Sequence, residues 1–193
     1  MQYEILKEVQ PLKINFICDT LDVATLGILQ LQLQEITDKV AYSSLLDDET
    51  VDPRLLNRFY YPRDTYFSSD SDRSYDRIIK AQVNYIRSGS LEQEVVFALS
   101  SILIDPDVRS VVLGVASNIV YAIGASGVEG VTKKVFGKLA TNKTNTIDPF
   151  NISNNVRTIL KAMASNGNSE KMILKISHQR GNEKVEVEIQ IGR

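Results

Sequence analysis

"RIIKAQVNYIRSGSLEQEVVFALS" (Arg77–Ser100) decides the fold, because its second half can be read as strand or as helix. The first half is plain. Ile79, Ala81, Val83 and Tyr85 recur at every second position, which predicts a strand over 77–88. Gly89-Ser90 then opens two routes. As a two-residue hairpin with Gly first, it sets Arg87 opposite Glu92 and Val83 opposite Val96, a charge pair near the tip and an apolar pair further in. As a helix start, Ser90 and Gln93 form a capping box ahead of a Leu91, Val95, Leu99 and Ile102 stripe. The cross-strand pairs favour the hairpin, turning helical near Ala98.

The N-terminal side supplies a strand and a helix for that hairpin to pack on. "LKINFICD" (Leu12–Asp19) is β-branched and aromatic, as strands are. Asp19 and Thr20 can cap a helix in which Leu26, Leu29, Leu33, Ile36 and Val40 recur at three- and four-residue steps. This amphipathic helix is expected over about 22–42, laid on a sheet.

Regular pattern then disappears from Ser43 to Asp76, apart from one short helix that Asp52-Pro53 can start. Within this stretch "RFYYPRDTYF" interleaves arginines with aromatics. Arg58, Tyr60, Tyr61, Arg63 and Tyr66 could stack a base and neutralise a phosphate, although aromatics in a long loop more often pin it to the body. Asp64, Asp70 and Asp72 nearby work against a long polyanion, so a small nucleotide is the better ligand and no long nucleic acid is expected. "DSDRSYD" has the alternate acids of a calcium loop, but Tyr75 stands where the loop needs Gly and Ala81 where it needs Glu. A solvated acidic loop accounts for it.

After the hairpin, Asp105-Pro106-Asp107 can cap a helix over 108–128. Its main stripe is Val108, Val111, Val112, Val115, Ile119 and Ile123. The opposite flank holds Gly114, Ser117, Asn118, Tyr121 and Gly124, small or hydrogen-bonding residues that admit a second helix closely. This helix is expected to pack on two sides, which makes a homo-oligomer the leading partner. The charge-free run from Ser110 to Val128, followed by Lys133, Lys134 and Lys138, also keeps a membrane contact or conditional insertion open. Gly124, Gly127 and Gly130 match neither a dinucleotide fingerprint nor a phosphate loop and are read as a helix end. A polar linker leads to a short helix at about 154–164. The chain closes with a hairpin around Arg180-Gly181-Asn182-Glu183, where Ile173, Lys175 and Ser177 alternate on one arm and Val185, Val187 and Ile189 on the other. His178 is expected on the surface.

The 193 residues are 43% hydrophobic and 24% charged, which suits one globular domain and excludes wholesale disorder. Net charge is −2, yet residues 1–100 carry 10 Lys/Arg against 16 Asp/Glu, while 101–193 carry 12 against 8. The domain therefore has an acidic half (1–106) and a basic half (107–193), either two solvated surfaces or a basis for head-to-tail association. Cys18 has no cysteine to pair with and reads as a small core residue. The opening "MQYEILKEVQPLK" has neither basic leader nor apolar core, so cytoplasmic residence is expected.

Strand, long helix, irregular loop, strand, apolar segment and C-terminal strand pair together resemble a loose class of small bacterial proteins. These carry an I-x-x-G-S-(L/W) turn before a hydrophobic segment, here Ile86 to Leu91. The likeness spans Leu12 to Gly137; the aromatic-acidic insertion and the final hairpin depart from it. What it implies is a cellular role in bacterial antiphage defence or toxicity, with no catalytic residue assigned. No metal set, nucleophile elbow, phosphate loop or paired carboxylates emerges, so no cofactor is expected and a non-enzyme is favoured. The fold expected is α+β: a small, mostly antiparallel sheet, a long N-terminal helix packed on it, a central apolar small-residue helix and a C-terminal hairpin.

Overall fold

The computed structural model describes residues 2–18, 21–47, 52, 77–87, 91–100, 109, 113–136, 152–166 and 171–192. They form an α+β fold: a seven-stranded sheet, antiparallel at every pairing, with three helices on one face. The strands are β1 (Tyr3–Ile5), β2 (Leu12–Ile17), β3 (Ile79–Arg87), β4 (Leu91–Ser100), β5 (Val131–Phe136), β6 (Lys171–Arg180) and β7 (Glu183–Gly192). The helices are α1 (Val23–Leu46), α2 (Val115–Gly124) and α3 (Ile152–Ser165).

Across the sheet β3 pairs with β4, and the other edge of β4 pairs with β2 near the hairpin tip and with β1 at its far end. Next come β6, β7 and β5. The 77–100 stretch is thus a hairpin, and Arg87 faces Glu92 as expected. Val83 faces Val95, one residue away from the expected Val96, because the register shifts between Val83 and Tyr85. Such a bulge keeps Val83 on the core side while the tip pairs in its own register. The helical turn expected near Ala98 does not occur: β4 runs to Ser100, held by β3 on one side and β1 on the other.

Inward positions alternate along every central strand. Leu12, Ile14 and Phe16 of β2, Val95, Phe97 and Leu99 of β4, Leu174 and Ile176 of β6, and Val185, Val187 and Ile189 of β7 are buried. On β6 the core side is therefore the even-numbered one. His178 falls on it and is buried, opposite Val185, which corrects the expected surface position. Cys18 is half-buried against this core.

α1 begins at Asp22, whose carboxylate accepts from the Thr25 amide at 2.6 Å and from its hydroxyl at 2.8 Å. It runs four residues beyond the expected end. Residues 36–43 are buried on all sides, polar Thr37, Asp38, Lys39 and Ser43 included, so this half of α1 is a core helix with a polar interior. α3 lies antiparallel to it: the Thr25 hydroxyl reaches the Ala162 carbonyl, while Lys39 Nζ reaches Asn155 Oδ1 at 2.9 Å. Asn155 also donates to Gln32 and Glu35, so the helix contact has a polar centre.

The expected 108–128 helix is shorter: α2 stops at Gly124, and a turn with positive φ at Gly127 and Gly130 reverses the chain into β5. Lys133 and Lys134 then belong to an edge strand of the sheet, in register with Val187 and Glu186. Among the described residues no helix is long and apolar enough to cross a membrane.

Candidate functional site

Between α1 and the sheet lies a cavity of about 260 Å³. Its floor is Ile14 and Phe16 of β2, Gln93 and Val95 of β4, and Leu174 and Ile176 of β6. Leu29 and Leu33 of α1 form the roof, and Ile159 of α3 closes one side. Ala81 and Val83 of β3 complete the wall; Val83, 39% exposed, and the exposed Gln30 of α1 mark the mouth. Strand alternation builds the floor, since each of these β residues occupies an inward position. The helical period brings Leu29 and Leu33 over it, one turn apart.

Gln93 is the exception to this apolar lining. It is 1% exposed, and its Nε2 donor has no hydrogen-bond partner. A buried amide donor left unsatisfied costs about 1–3 kcal/mol, so its position calls for an explanation. Water answers poorly, because a held water needs two to four polar partners. Among the described lining residues only Gln30, at the mouth, is polar besides Gln93, and none is charged.

A second polar centre lies near the start of β3. Burial pushes the Asp38 carboxyl up to about 7, while the Arg77 guanidinium in contact with it and the Gln34 amide pull the other way. The same Gln34 amide donates to the Ile79 carbonyl at 3.0 Å and accepts from the Ala81 amide at 2.9 Å. It therefore stands in for a neighbouring strand along the outer edge of β3. Here the charged groups serve packing.

Of the residues singled out in the sequence, Arg58, Tyr60, Tyr61, Arg63 and Tyr66 lie outside the described residues. Gly114, Ser117, Asn118, Tyr121 and Gly124 lie along α2, all half-buried. The Gly114 carbonyl accepts from the Ser117 hydroxyl at 2.9 Å and the Asn118 amide at 3.0 Å. At the other end, a Cβ on Gly124 would lie 3.0 Å from Cβ of Lys133, whose ammonium sits 3.9 Å from the centre of the Tyr121 ring. Partial burial holds that ammonium below its ordinary value. The small-residue flank thus admits a strand of the same chain at Gly124 and Tyr121.

Gln93 belongs to no motif, although "LEQEVVFAL" carries its signal: in a strand, the inward series is Leu, Gln, Val, Phe, Leu. Among the described residues no group of three His, Cys, Asp or Glu side chains is placed to hold a metal ion. No family model, curated protein or solved structure matches this chain.

Proposed function

We propose that the protein is a non-catalytic binding module whose cavity between α1 and the sheet takes a small apolar molecule. The observation that carries this reading is the unpartnered Gln93 donor inside a cavity whose other described lining residues are uncharged and, apart from Gln30 at the mouth, apolar. The volume, about 260 Å³, falls just below the ~300–1,000 Å³ of drug-sized sites, so a small ligand is the match. Fluorescence titration with the neutral probe 1-aminoanthracene tests it. Wild-type protein should enhance the probe's emission saturably, and Ala81→Phe, which adds a ring to the cavity wall, should reduce affinity about tenfold or more. Equal binding by both proteins would place the probe elsewhere and refute the assignment.

A second reading, self-association, is favoured by the first half of α1. Ala24 lies three and four residues from Gly27 and Ile28, and Leu31 four and three residues beyond them, so the four share one helix face; all are exposed, with Gly27 facing open space. A second copy of the chain would cover this stripe, with Gly27 letting the helices approach. Light scattering at high micromolar concentration should give a dimer that Leu31→Asp dissociates; a wild-type monomer sinks the idea. The role in bacterial defence or toxicity stays a proposal that rests on the Ile86–Leu91 resemblance, and a small nucleotide at Arg58–Tyr66 likewise on sequence.

A further inference from the structure

We propose that the cavity selects neutral apolar molecules bearing a carbonyl group, with the carbonyl oxygen accepting a hydrogen bond from Gln93 Nε2. This rests on the reading of the cavity as a ligand site and names the ligand's chemistry. Three observations carry it. First, the buried group lacking a partner is a donor, so its complement is an acceptor. Second, Gln93 stands on β4 between Ile14 of β2 and the β3 strand, at the floor, where a ligand's polar end is fully withdrawn from water. Third, no charged residue is among the described lining residues, so a carboxylate seated there would be buried without a counter-charge. Ketones, esters and lactones meet all three conditions; free fatty acids fail the third, and alkanes leave the amide unsatisfied.

The same logic separates ligand from solvent. One acceptor engages an N–H of the Gln93 Nε2 amide, and the remaining wall, Phe16, Leu33, Val95 and Leu174 among others, takes the apolar body. A molecule with several polar groups would bury the excess without partners. Selectivity therefore comes from one donor and from the penalty against everything else polar.

Competition against 1-aminoanthracene with three nine-carbon probes tests the class. For wild-type protein 2-nonanone should bind about 5- to 10-fold more tightly than nonane, the size of one neutral hydrogen bond. Nonanoate at pH 8 should bind more weakly than the ketone. Gln93→Leu removes the donor and keeps the volume, so the ketone should lose its advantage and bind no more tightly than nonane, and Tm without ligand should rise. A readout on wild-type protein guards against a variant that fails to fold: the infrared C=O stretch of bound 2-nonanone should lie below its value in alkane solvent. If nonane equals the ketone in wild-type protein, or the stretch does not move, the carbonyl assignment is overturned while the cavity still binds. If no probe competes although 1-aminoanthracene binds, the carbonyl class falls too. If 1-aminoanthracene itself does not bind, the ligand reading fails as a whole.

Discussion

Asp38 and Gln34 lie one turn apart on α1, and between them they convert a polar helix face into structure. Gln34 spends its amide on the Ile79 carbonyl and the Ala81 amide, leaving one further donor contact for Asp38. Asp38, 3% exposed, is raised from 3.8 to about 7 chiefly by burial; Arg77 and Gln34 counter it, and the Glu35 charge adds to it. A carboxyl raised in the folded state binds its proton more tightly there than in the unfolded chain. Its contribution to stability is therefore complete below about pH 4 and is lost as pH rises through about 7, at ~1.4 kcal/mol per pKa unit. Glu8, Asp22 and Glu188 are shifted downward, so their contributions are lost only on further acidification. Between pH 4.5 and 7.5 the Asp38 slope should dominate. Urea denaturation should show stability falling across that window, and Asp38→Asn, which keeps a group able to meet Gln34, should flatten the fall. An unchanged slope in the variant would mean that the Arg77 contact keeps Asp38 ionised throughout.

The turn that ends α2 and starts β5 shows why one element is legible in the sequence and its neighbour is not. Val115, Ile119 and Ile123 make a readable helical stripe, and all three are buried in α2. The glycines after them do mark a helix end, but "VTKKVF" carries too little apolar alternation to reveal an edge strand. Its inward position 133 is a lysine, whose stem lies along α2 with its charge over Tyr121. That compensation is tertiary and leaves no mark on local sequence. The two positive-φ glycines of this turn differ in their surroundings. Gly127 (φ 66) has nothing within 4 Å of a hypothetical Cβ, whereas at Gly130 (φ 86) that atom would lie 2.9 Å from the Gln190 carbonyl oxygen. The Gly130 carbonyl also accepts from the Gln190 amide, which holds the turn to β7. Gly127→Ala should cost only the backbone term, about 1–2 kcal/mol. Gly130→Ala adds a backbone clash and should cost at least ~1 kcal/mol more, read from urea midpoints at equal slope. Equal losses would mean that the β5–β7 junction yields without penalty.

At the scale of the whole molecule, the acidic and basic halves recognised by charge are not structural halves. β2, from the first, pairs with β6, from the second, over Lys13–Ile17 and Ser177–Ile173, and α1 packs along α3. On the sheet face away from the helices the signs alternate across strands: Glu94 pairs with Lys13, then Ser177, Glu186 and Lys134 come in register. Charge asymmetry along the sequence is thus dissolved by topology, and no count of Lys and Glu could have foretold which strand lies beside which. The hairpins 79–100 and 171–192 are legible because their turns are local; the β2–β6 pairing, more than 150 residues apart in sequence, is not. The same pairing predicts how the chain unfolds. Ile14 sits at that junction, 5% exposed, opposite Gln93 on one side and Ile176 on the other. Ile14→Ala should cost about 2–5 kcal/mol, since the core there is already short of atoms beside the cavity and cannot collapse easily. Hydrogen exchange across a urea series should lose protection in β2, α1, β6 and β7 at one midpoint, and the substitution should lower that midpoint for all four together. Were the two halves independent, β6 and β7 would keep the wild-type midpoint while β2 and α1 moved. A single shared shift is the outcome expected of a sheet whose central strands come from opposite ends of the chain.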